Sequence, residues 1–168
     1  MNTNDISYKI NIQAKRFEDS AELLFKIGIN NPQSYFIPAW VLATFSLELH
    51  LKSILQFEKG EIIRTHSIKD IFKNLSNESQ IIIRENFKND IKLNPPSNIK
   101  DLNSLGGVKI SDDFDKIISD ISTLFVDFRY IFELENKENS FIFIDNLRRV
   151  ITDRVSQLNI DKNKNDSL

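Results

Sequence analysis

The residues of this sequence that are best suited to chemistry are a carboxylate, an amine and an imidazole that lie close together in the chain. Glu48 and Lys52 are four residues apart in the stretch SLELHLKSIL (46–55), and His66 follows in THSIKDIF (65–72). A Glu four residues before a Lys is the favoured order for an ion pair on one helix face. Because the surrounding residues are largely apolar, we expect the pair to be partly desolvated. It is interpreted either as a structural ion pair or as the lining of a polar cleft between helices.

His66 immediately precedes Ser67, which is predicted to cap a helix. One interpretation is a hydrogen bond that ties this turn to the preceding helix, and the other is a general base or a nucleotide contact. His50 lies between two leucines, and we expect it to be packed or half exposed rather than catalytic. With two histidines and no cysteine, we predict no metal site and no cofactor.

A third group of polar residues lies late in the helix that is predicted from about Asp112 to Glu135. An arginine beside a large apolar face typically pairs with a buried carboxylate, and Glu48 is the candidate partner of Arg129. In the alternative interpretation, Arg129 holds a phosphate and Tyr130 stacks on a base.

The densest basic cluster comprises Arg148, Arg149 and Arg154. We expect these residues to form a solvated face of the last helix, and contact with RNA or an acidic partner is the alternative. The whole chain has a net charge of −2, so no overall basic field points to nucleic acid.

Helices must position all of these residues, because the chain has only 4 Gly and 4 Pro and little period-two alternation. The predicted fold is all-α, an up-and-down helical bundle of about five to six helices. We expect a single helical domain over residues 1–160 and a disordered tail over residues 161–168. The predicted helices are Asp5–Ile29, Tyr35–Glu58, a short one capped by Ser67, one from Ser76 or Asn77 to Leu93, Asp112–Glu135, and one from about Ser140.

The second predicted helix is apolar around most of its circumference, which is typical of the central helix of a bundle. We expect Leu42, Phe45 and Leu49 to lie inside. The first helix is predicted to present one apolar face, made of Ile10, Phe17, Ala21, Leu24 and Gly28.

Three segments of the chain resemble the HEPN superfamily. They are Leu47-Glu-Leu-His-Leu-Lys52, His66-Ser-Ile-Lys-Asp-Ile-Phe72 and Phe128-Arg-Tyr130, in this order, and the resemblance covers about residues 35–160. It implies an HEPN-like bundle that commonly forms a homodimer. Many members are RNases of toxin–antitoxin, abortive-infection or CRISPR defence systems, and others are non-catalytic partners of minimal nucleotidyltransferases.

The chain departs from the RNase members, which carry an Arg and, after about four to six intervening residues, a His on one helix. Arg129 is followed by Tyr130, no His occurs after His66, and Arg64 and His66 are only two apart. We therefore predict a non-catalytic binding module for a nucleotide, RNA or a protein partner, which the resemblance implies to be nucleotidyltransferase-like or an antitoxin. The predicted ligand-binding residues are Glu48, Lys52, His66, Arg129 and Tyr130.

Two alternatives remain open at the level of sequence. The first is a divergent metal-independent RNase that uses His66 with Arg129 or Lys52, and convergence of His66, Arg129 and Glu48 in an open cleft would favour it. The second is a purely structural interaction subunit whose polar residues are all internally paired. The N-terminus has no signal pattern and no apolar run could span a bilayer, so we expect a cytoplasmic protein with no membrane contact.

Overall fold

The computed structural model describes residues 3–96, 112–127 and 140–160, and no β-strand occurs among them. The all-α prediction is confirmed. Within the described ranges, no helix is long and apolar enough to cross a membrane. The α helices are α1 (Thr3–Gly28), α2 (Pro32–Lys59), α3 (Ile68–Lys73), α4 (Asn77–Leu93), α5 (Phe114–Asp127) and α6 (Ile144–Gln157), the last preceded by a 3₁₀ turn at Ser140–Phe143.

The ends of α2 illustrate how local chemistry defines these helices. Pro32 occupies the first turn, where the missing N–H costs nothing. Because α2 begins three residues before the predicted Tyr35, Pro38 lies inside the helix, beyond its first turn. Gly60 ends the helix in the left-handed conformation, with φ of 69°, and its N–H donates to the carbonyl of Gln56.

The predicted serine caps of α3 and α4 are confirmed. Ser67 Oγ accepts the Asp70 N–H at 3.2 Å, and Ser76 Oγ accepts the Ser79 N–H at 3.2 Å. Each cap satisfies an amide that has no partner within its helix. The Ser76 N–H and hydroxyl in turn donate to the Glu58 carboxylate at 2.7 Å, which ties the start of α4 to the end of α2.

The hydrophobic core is centred on α2, which packs against α1, α3, α5 and α6. From α2 the core takes Leu47, Leu51, Ile54 and Leu55, each fully buried. The other helices contribute apolar stripes, which are Ile68, Ile71 and Phe72 from α3, Ile83 and Phe87 from α4, Phe114, Ile117, Ile118 and Ile121 from α5, and Ile144, Leu147, Val150, Ile151 and Val155 from α6.

The predicted orientation of α2 is wrong in one respect, because Leu42, Phe45 and Leu49 are only half-buried. The side of α2 that faces α1 is instead lined by small and polar residues, and Ser46, His50 and Ser53 are fully buried there. Small side chains let two helix backbones approach closely, so the large apolar residues lie at the flanks of this contact.

The predicted inner face of α1 is also wrong in part, because of the same packing against α2. Ala21 and Gly28 are buried as expected, but Ile10, Phe17 and Leu24 are half-buried. Their places against α2 are taken by three smaller residues that are fully buried, which are Ser7, Asn11 and Ala14.

Candidate functional site

Glu48, Lys52 and His66 come together at the surface between α2 and the turn before α3. The Lys52 ammonium lies 2.8 Å from Glu48 Oε1, as the helical spacing predicted, and His66 Nδ1 lies 3.1 Å from the same oxygen. The Glu48 side chain is 5% exposed, that of Lys52 13% and that of His66 68%. A buried carboxylate therefore holds one largely buried cation and one exposed imidazole.

The hydrogen bond of His66 orients its ring. An ionised carboxylate can only accept, so Nδ1 carries the proton and donates to Glu48. Nε2 is then the basic nitrogen of an imidazole whose side chain is largely in solvent. This is the bond between the interhelical turn and α2 that one interpretation of His66 predicted. It is also the arrangement that prepares a histidine to accept a proton.

Arg64 and His66 are both exposed and lie two residues apart in the segment between α2 and α3. No helix covers residues 61–67, and exposure alternates over residues 62–67. Ile62, Arg64 and His66 are exposed, whereas Ile63, Thr65 and Ser67 are half-buried. In an extended chain, residues two apart project to the same side. Residues 58–70 include three Lys or Arg and three Asp or Glu, so the formal charges along this edge balance.

Arg129 and Tyr130 lie outside the described residues. The predicted contact of Glu48 with Arg129 and the stacking role of Tyr130 therefore stay predictions, as does the disordered tail at residues 161–168. Of the five residues predicted to bind a ligand, the structure brings three together, which are Glu48, Lys52 and His66.

His50 is fully buried between α1 and α2, so it is packed as expected. Its Nδ1 lies 2.9 Å from Asn11 Oδ1 and its Nε2 lies 3.1 Å from Glu18 Oε2. Glu18 also accepts from Arg148 on α6, at 2.5 Å. Burial by itself raises the pKa of Glu18, but the hydrogen bonds from His50 and Arg148 outweigh it and hold that pKa below its ordinary value of 4.5.

The prediction that Arg148, Arg149 and Arg154 form a solvated face is wrong. Arg154 is buried, and its guanidinium donates to Ser79 Oγ at 2.7 Å and to Glu78 at 3.0 Å. The physical reason is that α6 packs against both α2 and α4, and its arginines meet carboxylates of the neighbouring helices. These partners lie 59 to 130 residues away in the chain, beyond the reach of a local pattern.

Arg149 forms a two-pronged contact with Asp90 on α4. Its Nε and Nη2 lie 3.1 and 2.8 Å from the two carboxylate oxygens, the strong geometry for this pair. Asn146 also donates to Asp90, at 2.7 Å. Burial raises the pKa of Asp90, but the hydrogen bonds from Arg149, Asn94 and Asn146 prevail and hold that pKa below its ordinary value of 3.8.

The lowered pKa values of Glu18 and Asp90 predict that acid destabilises the fold. A carboxyl group with a lower pKa in the folded state stabilises the fold fully above its unfolded pKa and loses this contribution as the pH falls through the folded pKa. We expect the free energy of unfolding in urea to decrease from about pH 5 to about pH 3. Asp90→Asn should flatten this decrease, and an unchanged slope in the variant would contradict the assignment.

A cleft of ≈ 570 Å³ lies at the opposite end of α2 from His66. Its apolar lining includes a chain of aromatic rings in which Phe25 meets Phe36 at 6.1 Å and Trp40 at 4.8 Å between centroids. Gly28 permits the position of Phe36, because a Cβ there would lie 2.5 Å from the Phe36 ring. No local sequence pattern indicates this cleft, since α1, α2 and α6 and the end of α4 each supply part of its lining.

Comparison with known proteins finds no match to this chain among family models, curated proteins or solved structures. The likeness to the HEPN superfamily therefore stands on the short motifs around Glu48, His66 and Arg129 alone. Within the described part of the chain, no group of three or more His, Asp or Glu residues is arranged to hold a metal ion.

Proposed function

We propose that this protein is a non-catalytic, HEPN-like binding module, and that its ligand is RNA or a nucleotide that it contacts through phosphate. The observation that supports the proposal is an exposed His66 that contacts the buried Glu48–Lys52 ion pair, with an exposed Arg64 two residues before it in the chain. A planar guanidinium donates to phosphate oxygens through two bonds. The His66 ring donates its Nδ1–H to Glu48, so it contacts a phosphate as a donor only after Nε2 has taken up a proton.

Catalysis is not part of the proposal, because the cluster lacks a second proton-transfer group. Metal-independent hydrolysis of RNA needs one group to accept a proton and another to donate one near neutral pH. His66 is suited to one of these roles. Lys52 is engaged with Glu48 at 2.8 Å, and His50 is fully buried. Among the described residues of this cluster, His66 is thus the one side chain suited to proton transfer near neutral pH.

Binding of RNA can be measured by fluorescence anisotropy with a labelled single-stranded RNA. We expect affinity to fall with increasing salt, as it does when phosphate contacts release counterions. Arg64→Gln should weaken binding about fivefold to tenfold through loss of a charge-assisted contact. Arg16→Gln is the matched control, since Arg16 is also exposed but lies on α1. Equal affinities of Arg64→Gln and the wild type would refute the site.

The runner-up is a divergent metal-independent RNase, and the hydrogen bond from His66 Nδ1 to Glu48 is the observation that favours it. Incubation of the protein with structured and unstructured RNA in EDTA separates the two functions. We expect no cleavage above background. Cleavage by the wild type that is lost in His66→Ala would replace the binding proposal with the enzymatic one.

The HEPN resemblance also carries three further proposals. These are a homodimer, a nucleotidyltransferase-like or antitoxin protein as partner, and a role in a defence or toxin–antitoxin system. They rest on the motifs around Glu48 and His66, and the binding experiment above does not depend on them.

A further inference from the structure

The cleft at the start of α2 has an apolar floor that suits a bulky apolar group. Residues that line it include Phe25 on α1, Phe36 and Trp40 on α2, Pro95 after α4 and Ile142 before α6. Its volume of ≈ 570 Å³ lies within the range of small-molecule sites, about 300–1,000 Å³. Small-molecule sites typically combine such a floor with a few polar groups at one side.

The polar side of the cleft is close to electrically balanced. The charged residues that line it are Glu22, Lys26, Asp145, Arg148 and Arg149. Two further carboxylates, Glu18 and Asp90, bind these arginines from outside the lining. Four carboxylates against three cations give a local charge of −1 among the described residues. Hydrogen bonds from His50 and Arg148 to Glu18, and from Arg149 to Asp90, hold the pKa of each carboxyl below its ordinary value, so both are ionised at neutral pH.

This balance decides between classes of ligand. A phosphate dianion would bring two further negative charges to a site that already has an excess of carboxylates, and charges a few ångströms apart repel strongly in a partly desolvated cleft. A zwitterion adds no net charge. It can also pair one end with the cations and the other with the acids, so the charge pattern favours a neutral dipolar ligand.

Hydrogen-bonding groups remain for both ends of such a ligand. Arg149 engages Asp90 through Nε and Nη2, and a guanidinium has five N–H donors, so the donors on Nη1 remain. Lys26 is exposed at the same rim. On the acidic side, the Glu22 and Asp145 side chains are 46% and 61% exposed, so solvent-facing acceptors are available for an ammonium group.

We propose that this cleft binds a free amino acid with a large apolar side chain. The carboxylate of the ligand would contact Arg149, its ammonium group Glu22 or Asp145, and its side chain the rings of Phe36 and Trp40. The site is separate from the phosphate site proposed above, since the two share no residue and Trp40 and Glu48 are eight residues apart on α2, about 12 Å along the helix. The two proposals therefore succeed or fail independently.

Trp40 is the one tryptophan of the chain, so its fluorescence reports on this cleft, and calorimetry provides a second readout. We expect L-phenylalanine to bind with a Kd below about 1 mM. Three analogues should each bind at least about tenfold more weakly than L-phenylalanine. N-acetyl-L-phenylalanine lacks the ammonium group, L-phenylalaninamide lacks the carboxylate and L-alanine lacks the large apolar side chain. AMP tests the phosphate alternative in the same assay and should bind more weakly than phenylalanine.

A variant pair locates the contact. Arg149→Gln should weaken phenylalanine about tenfold and leave the weak binding of phenylalaninamide unchanged, since the amide has no carboxylate. Arg84→Gln is the matched control. Arg84 also pairs with an aspartate, at 2.7 Å, and its side chain is 34% exposed, close to the 39% of Arg149. Thermal melts establish that both variants fold. Two results would overturn the proposal, whether or not the variants fold. One is tighter binding of AMP than of phenylalanine, and the other is no response to phenylalanine at 10 mM, about ten times the expected Kd.

Discussion

Leu51→Ala should lower the free energy of unfolding by about 2–5 kcal/mol, the range for a leucine truncated in a packed core. Leu51 is fully buried on α2 and belongs to the main hydrophobic cluster. The variant loses the transfer free energy of the removed carbons and leaves a cavity that the surrounding helices fill only in part. Urea unfolding followed by circular dichroism measures the loss.

Leu49→Ala is the matched control, because it is the same substitution two residues away on the same helix. The sequence alone predicted that Leu49 is buried and that its truncation costs as much. Since its side chain is only half-buried, we now expect a loss of about 1 kcal/mol. Equal losses in Leu49→Ala and Leu51→Ala would mean that α2 is rotated relative to the packing described above.

Glu48→Leu should destabilise the fold by about 3 kcal/mol, because it leaves the Lys52 ammonium in a largely buried position without its counter-charge. The substitution also removes the acceptor of His66 Nδ1. The double variant Glu48→Leu/Lys52→Met should lose less than the single variant, since no lone charge remains. A double-mutant cycle in urea gives the coupling energy of the pair.

Asp5 and Lys9 on α1 provide the control for this cycle. They have the same order and spacing as Glu48 and Lys52 and lie 3.2 Å apart, but both are exposed. Exposed pairs of this kind contribute about 0.3–0.5 kcal/mol. A coupling energy for Glu48 and Lys52 that is no larger than that of Asp5 and Lys9 would show that burial adds nothing to the pair.

Features that depend on neighbours in the chain could be predicted from the sequence. The caps at Ser67 and Ser76, the stop at Gly60 and the Glu48–Lys52 pair each involve residues no more than four apart. Their chemistry is complete within one turn of helix, so the sequence pattern alone predicts them.

Features that depend on which helices meet could not be predicted in this way. Because α2 is apolar nearly all round, its pattern does not say which side faces α1, and the small residues of both helices decided it. The arginines of α6 were predicted to be solvated because their acids, Glu18, Asp90 and Glu78, belong to other helices. The cleft beside Trp40 was missed for the same reason.

The buried polar contact between α1 and α2 has a consequence for how these two helices can align. His50 reaches Asn11 with one ring nitrogen and Glu18 with the other. Sliding α1 by one turn, about 5.4 Å, would separate the fully buried His50 from both partners, and an unpaired polar group inside the protein is costly. A purely apolar contact would tolerate such a shift with little penalty. His50 therefore selects a single register for the helical hairpin, and with it the placement of Glu18 against Arg148 on α6.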